Sequence, residues 1–81
     1  MDVAADVEQF ILRELLTGSA IDAIPVDEDL LASGIVDSHG VMQLVGFLQD
    51  RYGVTVRDDA LTPENFQTIA AIAAFVERAK G

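Results

Sequence analysis

The sequence predicts an all-α protein: a small helical bundle of three main helices plus one short helix, with a long loop between the first and the second. Three observations carry this. Apolar residues recur at helical spacing in three separate stretches. Cap and stop residues stand at the ends of those stretches. The one strand-like triplet, Val54 to Val56, has no partner elsewhere in the chain. With 81 residues, one domain spanning 1–81 is expected, small enough that every apolar face is needed for its core.

The first helix is read from Val3, Val7, Phe10, Ile11 and Leu15, which fall on one stripe; Glu14 interrupts that stripe. "TGSAIDAIPVDEDLLASGIVD" then breaks the period with glycines, a proline and acids. It is long for a connection in so small a domain, and Ile21, Ile24, Val26, Leu30, Leu31 and Ile35 are expected to pack it down. The second helix runs through "SHGVMQLVGFLQDRY", with Val41, Leu44, Val45, Leu48 and Tyr52 inward and Gly53 as its stop. Phe47 lies off that stripe, and the long loop is expected to cover it. "TPENF" starts a short helix with Thr62 as cap and Pro63 in the first turn. Thr68 caps the last helix, with Ile69, Ile72, Ala73 and Val76 inward.

Fourteen acidic residues against five basic ones give a net charge of −9. A phosphate backbone would be repelled, so nucleic acid is excluded as a partner, whereas a basic protein would be attracted. No apolar run approaches the roughly 18 residues of a membrane span, and the start lacks a basic segment, so a soluble cytoplasmic protein is expected. The chain has no cysteine and hence no thiol of its own.

"GIVDSHGVMQLV" places Asp37, Ser38 and His39 side by side, the residue types of a hydrolase triad. Neighbours on a helix point about 100° apart, so they cannot form that relay. A strand–turn–helix elbow would need glycine at position 36, which is Val36, and a distant histidine, whereas His39 is the only one. One reading makes Asp37 or Ser38 merely the cap of the second helix, in an acidic helical interaction module. Another uses the hydroxyl: a serine at a helix start can be esterified with phosphate, and the anion is then favoured by free amides and the helix dipole.

"LLASGIVDSHGVMQLVGFLQDRYGVTV" followed by "LTPENFQTIAAIAAFV" resembles the acyl carrier protein family, including its peptidyl and aminoacyl branches. Gly34, Asp37 and Ser38 match the family's core, and Leu44, Val45, Leu48 and Tyr52 match its second helix. The resemblance implies that Ser38 receives 4′-phosphopantetheine from coenzyme A through a phosphopantetheinyl transferase, with Asp37 in transferase recognition. The arm would lend this cysteine-free chain a thiol, and acyl or aminoacyl groups would ride on it as thioesters. On that reading the protein is no enzyme. It is a monomeric carrier that raises the effective concentration of a tethered substrate at partner active sites.

Departures from the family pattern narrow the expectation. His39 stands where leucine is usual, Gln43 and Gln49 replace residues often acidic in fatty acid carriers, and no double glycine precedes Ser38. The pattern is similar to stand-alone carriers served by a separate adenylating ligase, or by other acyl-transferring enzymes, in a specialised pathway. His39, Met42 and Asp50 are the candidate partner contacts, Met42 because methionine adapts to several surfaces. No metal site is expected.

Overall fold

The computed structural model describes residues 2–16 and 20–80. Helix α1 spans Val3–Phe10. Asp2 caps it, its Oδ1 accepting from the Ala5 amide at 3.1 Å. The helix then widens into a π-helical turn, Ile11–Leu15, closed by the Leu16 amide donating to the Ile11 carbonyl five residues back at 2.9 Å. α2 spans Ser38–Tyr52, α3 spans Pro63–Phe66 and α4 spans Ile69–Lys80, with a short 3₁₀ turn at Asp58–Ala60. No strand occurs among the described residues, and Val54 to Val56 form part of a connection in which the Val56 amide donates to the Gln49 side-chain Oε1 at 3.1 Å. The expected all-α bundle, three main helices and a short one, is the observed fold. No helix among the described residues is long and apolar enough to cross a membrane.

The π turn accounts for Glu14. On a regular helix it would lie seven residues beyond Val7 and point into the core. A wider turn advances each residue by less than about 100°, so Glu14 falls behind the stripe and is exposed. Val3, Val7 and Ile11 are buried, and α1 packs chiefly on α4. From α4 come Ile69, Ile72, Val76 and also Phe75. Phe75 lies at the margin of the apolar stripe and is buried because α3 presents Phe66 to it, ring centroids 5.8 Å apart.

The long connection is held by main chain as much as by side chains. The Leu30 amide donates to the Gln67 carbonyl at 2.6 Å, and the Ala70 amide to the Val26 carbonyl at 3.0 Å. Glu8 of α1 accepts from the Ile24 amide at 2.8 Å. Leu30 is fully buried and Ile24 nearly so, with Leu31 and Ile35 half-buried. Ile21 and Val26, expected inside, are instead 44% and 51% exposed. At Val26 the backbone carbonyl makes the contact, which leaves the side chain in solvent.

For Phe47 the described residues show a neighbouring helix. It is covered from α1, its ring stacked on Phe10 at 4.5 Å and edge-on to Tyr52 at 6.4 Å. Two aromatics on facing helices satisfy each other. α2 ends as expected at Gly53, whose φ of 69° is left-handed and whose amide donates to the Gln49 carbonyl at 3.0 Å.

Candidate functional site

The start of α2 is built by the turn before it. Asp29 folds "DLLAS" into a single helical turn, its Oδ1 accepting from the Leu31 and Ala32 amides at 3.2 and 2.9 Å. Gly34, at φ 81°, reverses the chain out of that turn. Val36 is thereby driven into the core, 2% exposed, and its amide is held by the Leu30 carbonyl at 3.0 Å. One residue later the chain emerges at Asp37. Sequence periodicity missed Val36 because it belongs to no helix; its single apolar side chain between Gly34 and Asp37 was the available signal.

Gly40 completes the joint. A Cβ there would stand 3.1 Å from the Val36 side chain and 3.4 Å from that of Leu15. The bare backbone lets the π turn of α1 and the loop close on the first turn of α2.

Of the two candidate caps, Asp37 is the cap. It is extended, φ −102° and ψ −173°, and its Oδ1 accepts from the Gly40 amide at 2.8 Å. Ser38 is therefore the first helical residue and does not cap, which removes the reading of its hydroxyl as a mere helix cap. The Ser38 side chain is exposed. The first amides of a helix have no internal partner, and since Asp37 takes that of Gly40, those of Ser38 and His39 remain free among the described residues.

Two grooves flank Ser38. One is apolar and open, about 380 Å³, lined by Leu31, Val41, Met42, Leu61, Pro63 and Phe66, with the serine at its edge. Met42 is 57% exposed, and Val41, nearer the core, is half-buried. The other is polar and includes Glu14, Asp37, His39 and Gln43. His39 is exposed and faces this second groove, so the structure sets it apart from the apolar side. Asp50 is exposed three turns further on, about 18 Å along α2 from Ser38.

Charge is distributed unevenly. No lysine or arginine lies between Arg13 and Arg51, a span that holds seven acidic residues, Glu14, Asp22, Asp27, Glu28, Asp29, Asp37 and Asp50. At the far end of α2, Arg51 pairs with Asp6 at 3.4 Å, the Tyr52 hydroxyl donates to the same carboxylate, and the Lys80 ammonium sits 5.8 Å from the centre of the Tyr52 ring. Desolvation and then the Asp6 carboxylate push the Tyr52 phenol up to about 12. The Tyr52 hydrogen bond, aided by Arg51, lowers Asp6 below the ordinary carboxylate value. A further cleft, bordered by Phe10, Arg13, Phe47 and Arg51, lies by this end of the helix and does not include Ser38.

An exposed hydroxyl at a helix start, free amides beside it and an open apolar groove next to it suit an anionic, partly apolar tether. The fold and this surface define a helical domain that holds a group out to other proteins. The chain belongs to the phosphopantetheine attachment site family, whose model matches residues 11–76. Covalently bound 4′-phosphopantetheine is accordingly its prosthetic group. Domains of this family are generally non-catalytic and interact with enzymes such as phosphopantetheinyl transferases and synthetases.

Several solved structures are similar, two of them at 33% identity or more. KstB-PCP in its apo form is 38% identical with a TM-score of 0.75, covering 94% of this chain and 84% of that one. A chain in a crystal structure of an FAD-dependent dehydrogenase is 33% identical with a TM-score of 0.77, covering 86% of this chain and 97% of that one. No curated protein matches the sequence.

Proposed function

We propose that Ser38 bears the phosphopantetheine arm and that the protein presents acyl or aminoacyl thioesters on it to partner enzymes. The observation that carries this is the division of labour at the start of α2. Asp37 occupies the cap, so the Ser38 hydroxyl is left exposed and without an internal partner. Ser33, the other described serine, has its hydroxyl turned to the Leu30 carbonyl at 3.5 Å within the loop.

The arm supplies the thiol that the sequence lacks. The chain's own residues bind and orient. The Ser38 and His39 amides and the dipole of α2 favour the phosphodiester charge, and the Val41–Met42 groove accepts apolar parts of the arm or of a partner. Asp37 takes part in transferase recognition, and His39, Met42 and Asp50 are contacts on the partner side. The likeness to KstB-PCP supports the peptidyl or aminoacyl branch. The fitting partners are a phosphopantetheinyl transferase and an acyl- or aminoacyl-adenylating ligase or another acyl-transferring enzyme, acting on a monomeric, cytoplasmic, single-domain carrier in a specialised biosynthetic pathway.

The test is mass spectrometry after incubation with coenzyme A, magnesium and a broad-specificity transferase. The chain is expected to gain one phosphopantetheine, and Ser38→Ala to gain none. Gain by the alanine variant, or none by the wild type, would sink the assignment.

A further inference from the structure

One groove of this acidic molecule carries more positive than negative groups. It holds about 270 Å³ and is bordered by Thr55, Arg57, Asp59, Asn65, Phe75 and Arg78. The chain has five basic residues against fourteen acidic ones, and two of the five meet here. Among the described residues that border the groove, Asp59 is the one carboxylate. It stands 3.9 Å from the Arg57 guanidinium with both side chains more than three-quarters exposed, a contact that water and salt screen.

Arg78 is the better oriented of the two. Asn65 of α3 donates its side-chain amide to the Ala60 carbonyl at 2.8 Å. Only the nitrogen of that side chain can donate, so its oxygen is the atom turned to Arg78, which donates to it from Nη2 at 3.1 Å. The guanidinium is thus fixed by a neutral partner, and that contact leaves its charge uncancelled. Phe75 and Ala79 of α4, with Ala60, give the same groove apolar walls. Two forked cations beside an apolar wall match a carboxylate on a short hydrocarbon stem.

We infer that this groove receives a free carboxylate of the carried group, so that the cargo is a dicarboxylic acyl group or an acidic aminoacyl group. This rests on Ser38 bearing the arm. Reach permits it. The apolar groove at Ser38 is bordered by Phe66 of α3, whose ring lies 5.8 Å from that of Phe75 in the arginine groove. Crossing α3 takes about 10–12 Å, the width of a helix with its side chains. An arm of about fourteen bonds extends roughly 16 Å at the advance per bond of extended chain. Charge and tethering choose the occupant. A net charge of −9 repels a free anion or an acidic partner surface, and exposed arginine–carboxylate pairs are individually weak. A tethered carboxylate is presented at an effective concentration on the order of 1 mM, which a weak site can use.

The experiment loads Ser38 from succinyl-coenzyme A or from butyryl-coenzyme A with a broad-specificity transferase and compares the loaded chains by nitrogen-15 NMR. The two cargoes have equal carbon chains and differ by the terminal carboxylate. The succinyl form is expected to shift the guanidinium signals of Arg57 and Arg78 and the side-chain amide of Asn65. The butyryl form is expected to leave them as in the chain loaded from coenzyme A alone. The difference is expected to vanish when Arg57→Gln and Arg78→Gln are combined, and to shrink about threefold at about 0.5 M salt. Loading at Ser38 without a succinyl-specific shift overturns the inference and leaves the Ser38 assignment standing, as does a shift that survives in the double variant; a wild type that gains no mass overturns both. Equal shifts from free succinate at about 1 mM would make the groove a general anion site and overturn its assignment to cargo.

Discussion

A helix start can be capped by either aspartate or serine, and where both stand together only the one in extended backbone can do it. Here the loop decides. Gly34 and the buried Val36 bring the chain out so that Asp37 is extended and Ser38 is already helical. The sequence showed that both were able to cap; it did not show which one would, because the choice depends on one backbone angle set by Val36. At the other end of α2, Tyr52 and Asp6 make a prediction of pH dependence. The Tyr52 phenol is raised to about 12 from an ordinary 10, so between those values the folded chain keeps a proton that the unfolded chain has released. Stability from this group is therefore complete below pH 10 and is lost as pH climbs toward 12. Asp6, lowered below 3.8, acts in the opposite sense: its contribution is present above that value and is lost as pH falls further. In Tyr52→Phe, urea denaturation followed from pH 8 to 12 is expected to show a weaker alkaline decline than the wild type. Parallel declines would mean that the phenol does not titrate in this way.

Among the elements, those with a regular period were legible and those shaped by a neighbour were not. α2 and α4 were located by their stripes, α2 ending at Gly53 and α4 starting after Thr68, whose hydroxyl accepts from the Ala71 amide at 2.9 Å. The π turn of α1 was visible only as the misplaced Glu14, since no residue type specifies a wider turn. The stacking of Phe47 on Phe10 was not legible, because helical angles show that a side chain leaves the core stripe, not which neighbouring helix receives it. The loop itself was read correctly at Leu30 and wrongly at Val26, and the two give a paired test. Leu30 is fully buried and lies beside a hydrogen bond to Gln67, whereas Val26 contributes a carbonyl and an exposed side chain. Leu30→Ala is expected to cost about 2–5 kcal/mol, a large share of the roughly 4–12 kcal/mol available to a chain of this length. Val26→Ala is expected to change stability by less than about 0.5 kcal/mol. Both are read from urea midpoints, and equal losses would show that the loop packs otherwise.

At the scale of the whole molecule, a net charge of −9 can influence partners in two ways. The total charge attracts any basic protein from a distance, or the basic-free stretch between Arg13 and Arg51 focuses the field on α2 and its approach loop. The two differ in what a single charge reversal does. Asp50→Lys and Glu77→Lys alter net charge identically, but both native side chains are exposed on different helices, one on α2 and one on α4. Exposed charges are screened over about 10 Å at 0.1 M salt, so a focused field depends on where the charge sits. Rim charges act mainly on association rate and its salt dependence. Transferase loading at subsaturating carrier is therefore expected to slow several-fold between about 20 mM and about 500 mM salt. Asp50→Lys is expected to lower the low-salt rate and flatten that slope, while Glu77→Lys retains most of both. Equal responses from the two variants would assign the attraction to net charge alone and remove α2 from the encounter.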